Sequence, residues 1–188
     1  MEIQVFCPIA VYPAFFGPRS FSYVAADPSY SPPGVTAHYL EYPALPLISR
    51  PLNGVVCAKK VMPHLERFRP DLILSYYVYP EGYAALSAGK RLSVPVILGA
   101  IGSDINRIPD RISAFLTRKA LREASFVLTV SEHLRDQAIR LGASAERSRT
   151  GGRWWILYWK SAEEVWPKRR QRPEPKPPRR RLKRYADD

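Results

Sequence analysis

Three short stretches of the chain combine residue types and spacings that suit chemistry. Gly102-Ser103-Asp104-Ile105-Asn106 sets a glycine beside a hydroxyl, a carboxylate and an amide. Glycine lets backbone approach a bound molecule, and the polar side chains offer donors and acceptors to its hydroxyls. The same residues also make a turn closed by an Asx cap, with Asp104 starting the next helix. Tyr76-Tyr77-Val78-Tyr79-Pro80-Glu81-Gly82 clusters aromatic rings that could stack on a sugar or nucleobase. Glu81 is equally well explained as a carboxylate favoured by the dipole of a helix N-terminus. Ser131-Glu132-His133 opens a helix, with Ser131 as its N-cap; N-terminal amides and a hydroxyl also suit a phosphate or diphosphate. Other chemistries have no footing. The chain has no G-x-G-x-x-G, no G-x-x-x-x-G-K-[ST] and no G-x-S-x-G. His38, His64 and His133 are scattered without metal-ligand spacing, so each reads as a surface or helix residue.

The elements that must position these stretches alternate. Ile3 to Cys7 is an apolar run that fits a first buried strand, and Val35 to Tyr42 a second, with a proline-rich loop between them. Gly54 to Phe68 carries a helical apolar stripe, with a kink or boundary expected at Pro63. Asp71 to Tyr76, Val94 to Gly99 and Ser125 to Val130 read as strands apolar on both faces. Helices are expected over Glu81 to Leu92, over Ile108 to Ala124 as a basic amphipathic helix, and from Ser131 to Leu141 before Gly142. Such alternation predicts an α/β fold with a parallel sheet covered by helices on both faces. In such a sheet ligands bind beyond the carboxyl ends of the strands, where all three stretches lie.

Composition divides the chain near Thr150. The net charge is +12, yet residues 1–150 hold 17 Lys and Arg against 12 Asp and Glu, while residues 151–188 hold 12 against 5. All four tryptophans (Trp154, Trp155, Trp159, Trp166) and five prolines from Pro167 to Pro178 follow the break. One domain is therefore expected over 1–150, with an irregular basic tail over 151–188, disordered beyond about Trp166 and holding a short strand or turn at Trp155–Trp159. The tail's composition fits two origins: a segment that binds anionic lipid or polyanions, or an out-of-frame product of GC-rich DNA. Cys7 and Cys57 are the chain's two cysteines, and nothing marks a disulfide-stapled export. With no signal-peptide pattern at Met1 and no apolar run of membrane-spanning length, a soluble, cytoplasmic chain is expected.

Taken together, Tyr79-Pro80-Glu81-Gly82, then Val94-Pro95-Val96 leading to Gly102-Ser103-Asp104-Ile105-Asn106, then Ala124 to Val130 leading into Ser131-Glu132-His133-Leu134, resemble family 4 retaining glycosyltransferases. Order and spacing are similar to the acceptor-side N-terminal domain of these GT-B enzymes over residues 2–149, and Gly102 to Asn106 is the most specific part. The resemblance implies a Rossmann-like domain from a two-domain enzyme of polysaccharide biosynthesis. Such an enzyme moves a sugar from a nucleotide-sugar to a glycan or lipid-linked acceptor in the cleft between its domains. It places acceptor or cleft contacts at Tyr79, Glu81, Gly82, Gly102, Ser103, Asp104, Asn106 and Ser131, with no catalytic residue, metal or cofactor in this half. The family's donor half carries two glutamates eight positions apart. Here Glu163 and Glu164 are followed at that distance by Gln171 and Arg172, so the pair is not reproduced. Phe16-Gly17-Pro18-Arg19 also replaces a family-typical Gly-Gly pair, and after Arg149-Thr150 the chain runs to Trp154-Trp155 where the family continues into an edge strand and linker. A frameshift near codon 150 accounts for the tryptophans, the arginines and the missing half together. The expectation is a truncated glycosyltransferase, inactive alone, cytoplasmic or peripheral at the inner face of the membrane, with no nucleic acid partner. Left without its second domain, the cleft side is expected to leave Tyr76, Tyr77 and Tyr79 exposed. The alternative is a non-catalytic binding module whose basic tail docks on anionic membrane or nucleic acid.

Overall fold

The computed structural model describes residues 2–12, 31, 33–45 and 49–151. The loop at Phe16-Gly17-Pro18-Arg19 and the tail beyond Gly151, with its expected strand at Trp155–Trp159, lie outside them. Strand β1 (Gln4–Val11) runs parallel to β2 (Thr36–Pro43), with Phe6 opposite His38 and Ala10 opposite Tyr42. Helix α1 (Arg50–Phe68) begins earlier than the apolar stripe indicated, because Pro51 suits a first turn whose N–H would be unpaired anyway. It runs through Pro63 without a boundary and ends at Arg69, whose left-handed backbone returns its N–H to the Leu65 carbonyl at 2.8 Å. Strand β3 (Ile73–Tyr76), a π-helical turn (Val78–Gly82) and α2 (Tyr83–Leu92) follow. Then come β4 (Val96–Ala100), the single turn α3 (Ser103–Asn106), α4 (Arg111–Glu123), β5 (Phe126–Thr129), α5 (Glu132–Arg140) and β6 (Ser148–Thr150).

The fold is a parallel, Rossmann-like α/β arrangement. Ladder bonds join β1 to β2, and join β3-β4-β5-β6 in that order, every pair parallel. Residues abreast in such a ladder share a face, so Ser75, Leu98, Val127 and Ser148 form one row, and all four are buried. The adjacent row of Leu74, Ile97 and Phe126 is more open, with Leu74 49% exposed. Leu98, Val127, Val78, Ile105 and Leu121 are fully buried, each contributing about 1.5–3 kcal/mol by leaving water.

Three elements depart from the sequence reading. The helix expected over Ile108 to Ala124 starts later: Asp104 lies in the first turn of the separate α3, and α4 begins only at Arg111 behind the N-cap Asp110, whose carboxylate accepts the Ser113 N–H at 2.7 Å. Ser148–Thr150, for which no strand is expected from the sequence, forms the edge strand β6 on β5. The third departure is the face that α4 buries. It turns Ser113, Thr117, Ala120 and Leu121 inward, while Ile112 and Phe115 stand 55% and 59% exposed. The opposing surface explains this. Helix α2 presents Ala84, Ala85, Ala88 and Gly89, and α4 packs on α2 and on the π turn, so close approach demands small side chains.

Candidate functional site

Three loops meet beyond the carboxyl ends of β3, β4 and β5, and one side chain ties two of them together. Asp104 Oδ2 accepts the Val78 N–H at 3.0 Å from the π turn after β3. Its Oδ1 accepts the N–H groups of Gly102 at 2.8 Å and Ile101 at 3.2 Å from the loop after β4. Both oxygens therefore hold backbone, and charge-assisted bonds of this kind are the strong ones. The loop can present this geometry because Gly102 sits at φ +133°, a conformation that a side chain opposes. Its carbonyl in turn accepts the N–H groups of Ile105 and Asn106, closing the turn that leaves Ser103 and Asn106 exposed. The third loop joins through α3 and α5, which touch. Ser131 is the N-cap of α5, its hydroxyl oxygen accepting the Leu134 N–H at 3.3 Å.

The π turn brings its own residues to the same place. At Gly82 a Cβ would lie 2.7 Å from the Tyr77 carbonyl oxygen and 3.0 Å from Leu98, so only glycine lets the turn close onto β4. Tyr79 does not reach outward to stack on a ligand, nor does it stay exposed. Its ring is 8% exposed, and its hydroxyl lies 2.8 Å from the carbonyl oxygens of both Arg50 and Pro51, donating to them, while accepting the Gly54 N–H at 3.2 Å. The ring anchors the turn to the start of α1. Tyr77, in contrast, is 41% exposed on a left-handed backbone. Glu81 is half-buried within electrostatic reach of Asp104. Burial pushes its carboxyl up to about 7, its own backbone N–H opposes the rise, and the Asp104 charge adds to it. The helix-terminus effect expected for Glu81 would act the other way, so desolvation wins here.

A second concavity adjoins the ends of β1 and β2. It is an open groove of about 560 Å³ lined by Tyr12, Glu41, Tyr42 and Ser49 among others. Tyr42 is buried and its hydroxyl is pushed well up, first by burial and then by the charge of Glu81 on the π turn. Sequence reading passed over it, although the end of β2 is where the same strand-end rule pointed. Cys57 also feels Glu81. Its thiol, driven chiefly by burial, is pushed up to about 12, and burial raises the Cys7 thiol too, so burial favours the protonated form of both. Among the described residues no group of three or more His, Cys, Asp or Glu is arranged to hold a metal. At the opposite end of the strands His38 stacks on Phe6 with ring centres 5.0 Å apart and lies 6.1 Å from His64, lining a 270 Å³ cavity with Arg67 and Glu2. The histidines that the sequence scatters are thus two of them neighbours.

Comparison with known proteins assigns the chain to a family. The model of the glycosyl transferase 4-like domain matches residues 2–151. The chain belongs to that family. A curated relative from Bacillus subtilis (strain 168), "Putative teichuronic acid biosynthesis glycosyltransferase TuaC", is 36% identical over 76 residues, covering 38% of this chain and 19% of that protein. Among solved structures, a UDP-N-acetylglucosamine 2-epimerase from Rickettsia bellii superposes with a TM-score of 0.54 at 18% identity, over 89% of this chain and 50% of that one. That likeness is one of fold. The glycosyl transferase 4-like chain spans half the length of the epimerase and a smaller share of TuaC.

Proposed function

We propose that residues 1–150 are the acceptor-side half of a glycosyltransferase, taking a glycan or lipid-linked acceptor at the crevice formed by the π turn, the Gly102–Asn106 loop and the start of α5. The observation that carries this reading is the Asp104 carboxylate, whose hydrogen bonds tie two strand-end loops into one rim, with Glu81 within reach of its charge. In this reading Ser103, Asn106 and the Tyr77 ring face the acceptor's hydroxyls and ring. Gly82 and Gly102 let backbone come close, Asp104 and Tyr79 position the rim, and Ser131 offers the α5 N-terminus. Glu81, titrating near neutrality, exchanges a hydrogen bond with an acceptor hydroxyl in either protonation state. The donor would be a nucleotide-sugar, held by groups on the far side of the cleft. The 188 residues as they stand supply one side of it, and transition-state stabilisation needs both. We assign the working chain to the cytoplasm, with peripheral contact at the membrane's inner face; no described helix is long and apolar enough to cross a bilayer.

The test is transfer by the purified chain from radiolabelled UDP-hexoses and GDP-mannose to glycan and polyprenyl-linked acceptors. The expected result is no turnover above buffer, and measurable transfer would refute the half-site reading. If instead the chain retained salt-sensitive binding to anionic vesicles or RNA that vanished with residues 151–188, the basic tail would be the working part.

A further inference from the structure

Helix α4 shows two large apolar side chains to water and turns two hydroxyl-bearing ones inward. Ile112 and Phe115, one turn apart, are 55% and 59% exposed, while Ser113 and Thr117 are buried, the Thr117 hydroxyl without a hydrogen-bond partner. A helix packing for its own stability would turn these two pairs the other way. Cations surround the exposed pair. Arg111, Arg118 and Arg122 are exposed and Lys119 is half-buried on the same helix, against one carboxylate, Glu123, at its far end. Arg107 is exposed just before it. The start of α1 lies alongside, since the two helices touch and the Arg50 charge helps lower the Asp110 carboxyl. For that carboxyl, burial is opposed and outweighed by hydrogen bonds from Ser113. This neighbouring turn carries Leu52, 60% exposed, and Val55, 37% exposed.

We propose that the exposed face of α4, with the first turns of α1 beside it, is a docking surface for an anionic lipid bilayer. Ile112 and Phe115 enter the headgroup–acyl boundary, and the surrounding arginines and Lys119 meet lipid phosphates. Exposed apolar side chains ringed by cations are the composition that a negatively charged interface selects, since insertion and electrostatic attraction act together. A soluble protein partner of matching size would be met by a broader apolar centre with less charge. The surface also sits beside the crevice: α4 packs on the π turn that carries Tyr79 and Glu81. A docked α4 therefore holds the crevice close to lipid-linked molecules. The inference deepens the peripheral-membrane part of the proposed function, but it does not depend on sugar transfer.

The experiment is co-sedimentation of the full 188-residue chain with vesicles of phosphatidylglycerol and phosphatidylcholine, beside pure phosphatidylcholine. The unaltered chain is expected to bind the anionic vesicles, more weakly as salt rises, and the neutral ones little. Ile112→Ser with Phe115→Ser should weaken partitioning by about a hundredfold with an unchanged melting temperature, since both side chains are already in water. Phe115→Leu should bind nearly as the parent does. Binding by the double variant equal to the parent's would overturn the proposal and assign the affinity to the basic tail. Amide exchange on the unaltered chain gives a second readout free of substitutions. Slowed exchange over residues 111–119 on anionic vesicles is expected, and protection confined to other segments would overturn it. Vesicle binding without sugar transfer, or the reverse, separates this surface from the glycosyltransferase reading.

Discussion

Both carboxylate oxygens of Asp104 are taken by backbone N–H groups, so its role is read more directly from geometry than that of any other residue at the crevice. Hydrogen bonds to a charged group contribute about 1.5–3 kcal/mol each, and water replaces part of that at a half-buried position. Asp104→Ala should therefore destabilise the domain by about 2–4 kcal/mol in urea unfolding, with Asp104→Asn losing less. A change below the scatter of the measurement would show that the clamp is not needed. Glu81 gives the second residue-scale prediction, and its sign follows from proton counting. Its carboxyl titrates at about 7 when folded, against 4.5 for an unburied one, so the folded chain holds the extra proton between those values. Stability is full below about 4.5, falls as pH rises to about 7, and stays lower above, a loss of about 3 kcal/mol from a shift of this size. Glu81→Gln should flatten this slope and raise stability at pH 8. An unchanged slope would mean the carboxyl titrates normally.

At the scale of elements, the crevice depends on turns that only particular backbones allow. Gly102→Ala asks a side chain to adopt φ +133°, and strain of that kind costs about 1–3 kcal/mol, so a comparable drop in unfolding free energy is expected. Helix α4 predicts the opposite sign. Thr117→Val replaces an unpartnered buried hydroxyl with a methyl of the same shape and should stabilise by about 1 kcal/mol in thermal unfolding. A loss would show that the hydroxyl has a partner, such as a bound water. Strands β3, β4 and β5 were legible in the sequence because each is a continuous apolar run, and the loops at their ends followed from the rule that crevices open there. Strand β6 was not, because Ser148-Arg149-Thr150 has no apolar run and becomes a strand only by pairing with β5. The outward face of α4 was hidden for a related reason. Periodicity reports where apolar residues lie, while the small side chains of α2 decide how close the next helix must come. Tyr79 was assigned to the crevice by its position in the chain, but the partners of its hydroxyl come from α1, more than twenty residues earlier.

At the scale of the molecule, a glycosyl transferase 4-like domain spans residues 2–151, the chain matches half of the epimerase that shares its fold, and the proposed function makes this domain one wall of a cleft. One wall can hold a ligand without turning it over. Saturation-transfer NMR on the purified 188-residue chain separates holding from turnover, with a panel of soluble oligosaccharides set against UDP-glucose and UDP-N-acetylglucosamine. The acceptor-half account predicts saturation of at least one oligosaccharide, lost in the Ser103→Ala, Asn106→Ala double variant, with neither nucleotide-sugar saturated. Saturation of a nucleotide-sugar with every oligosaccharide silent would contradict it, because the wall described here would then be the donor's.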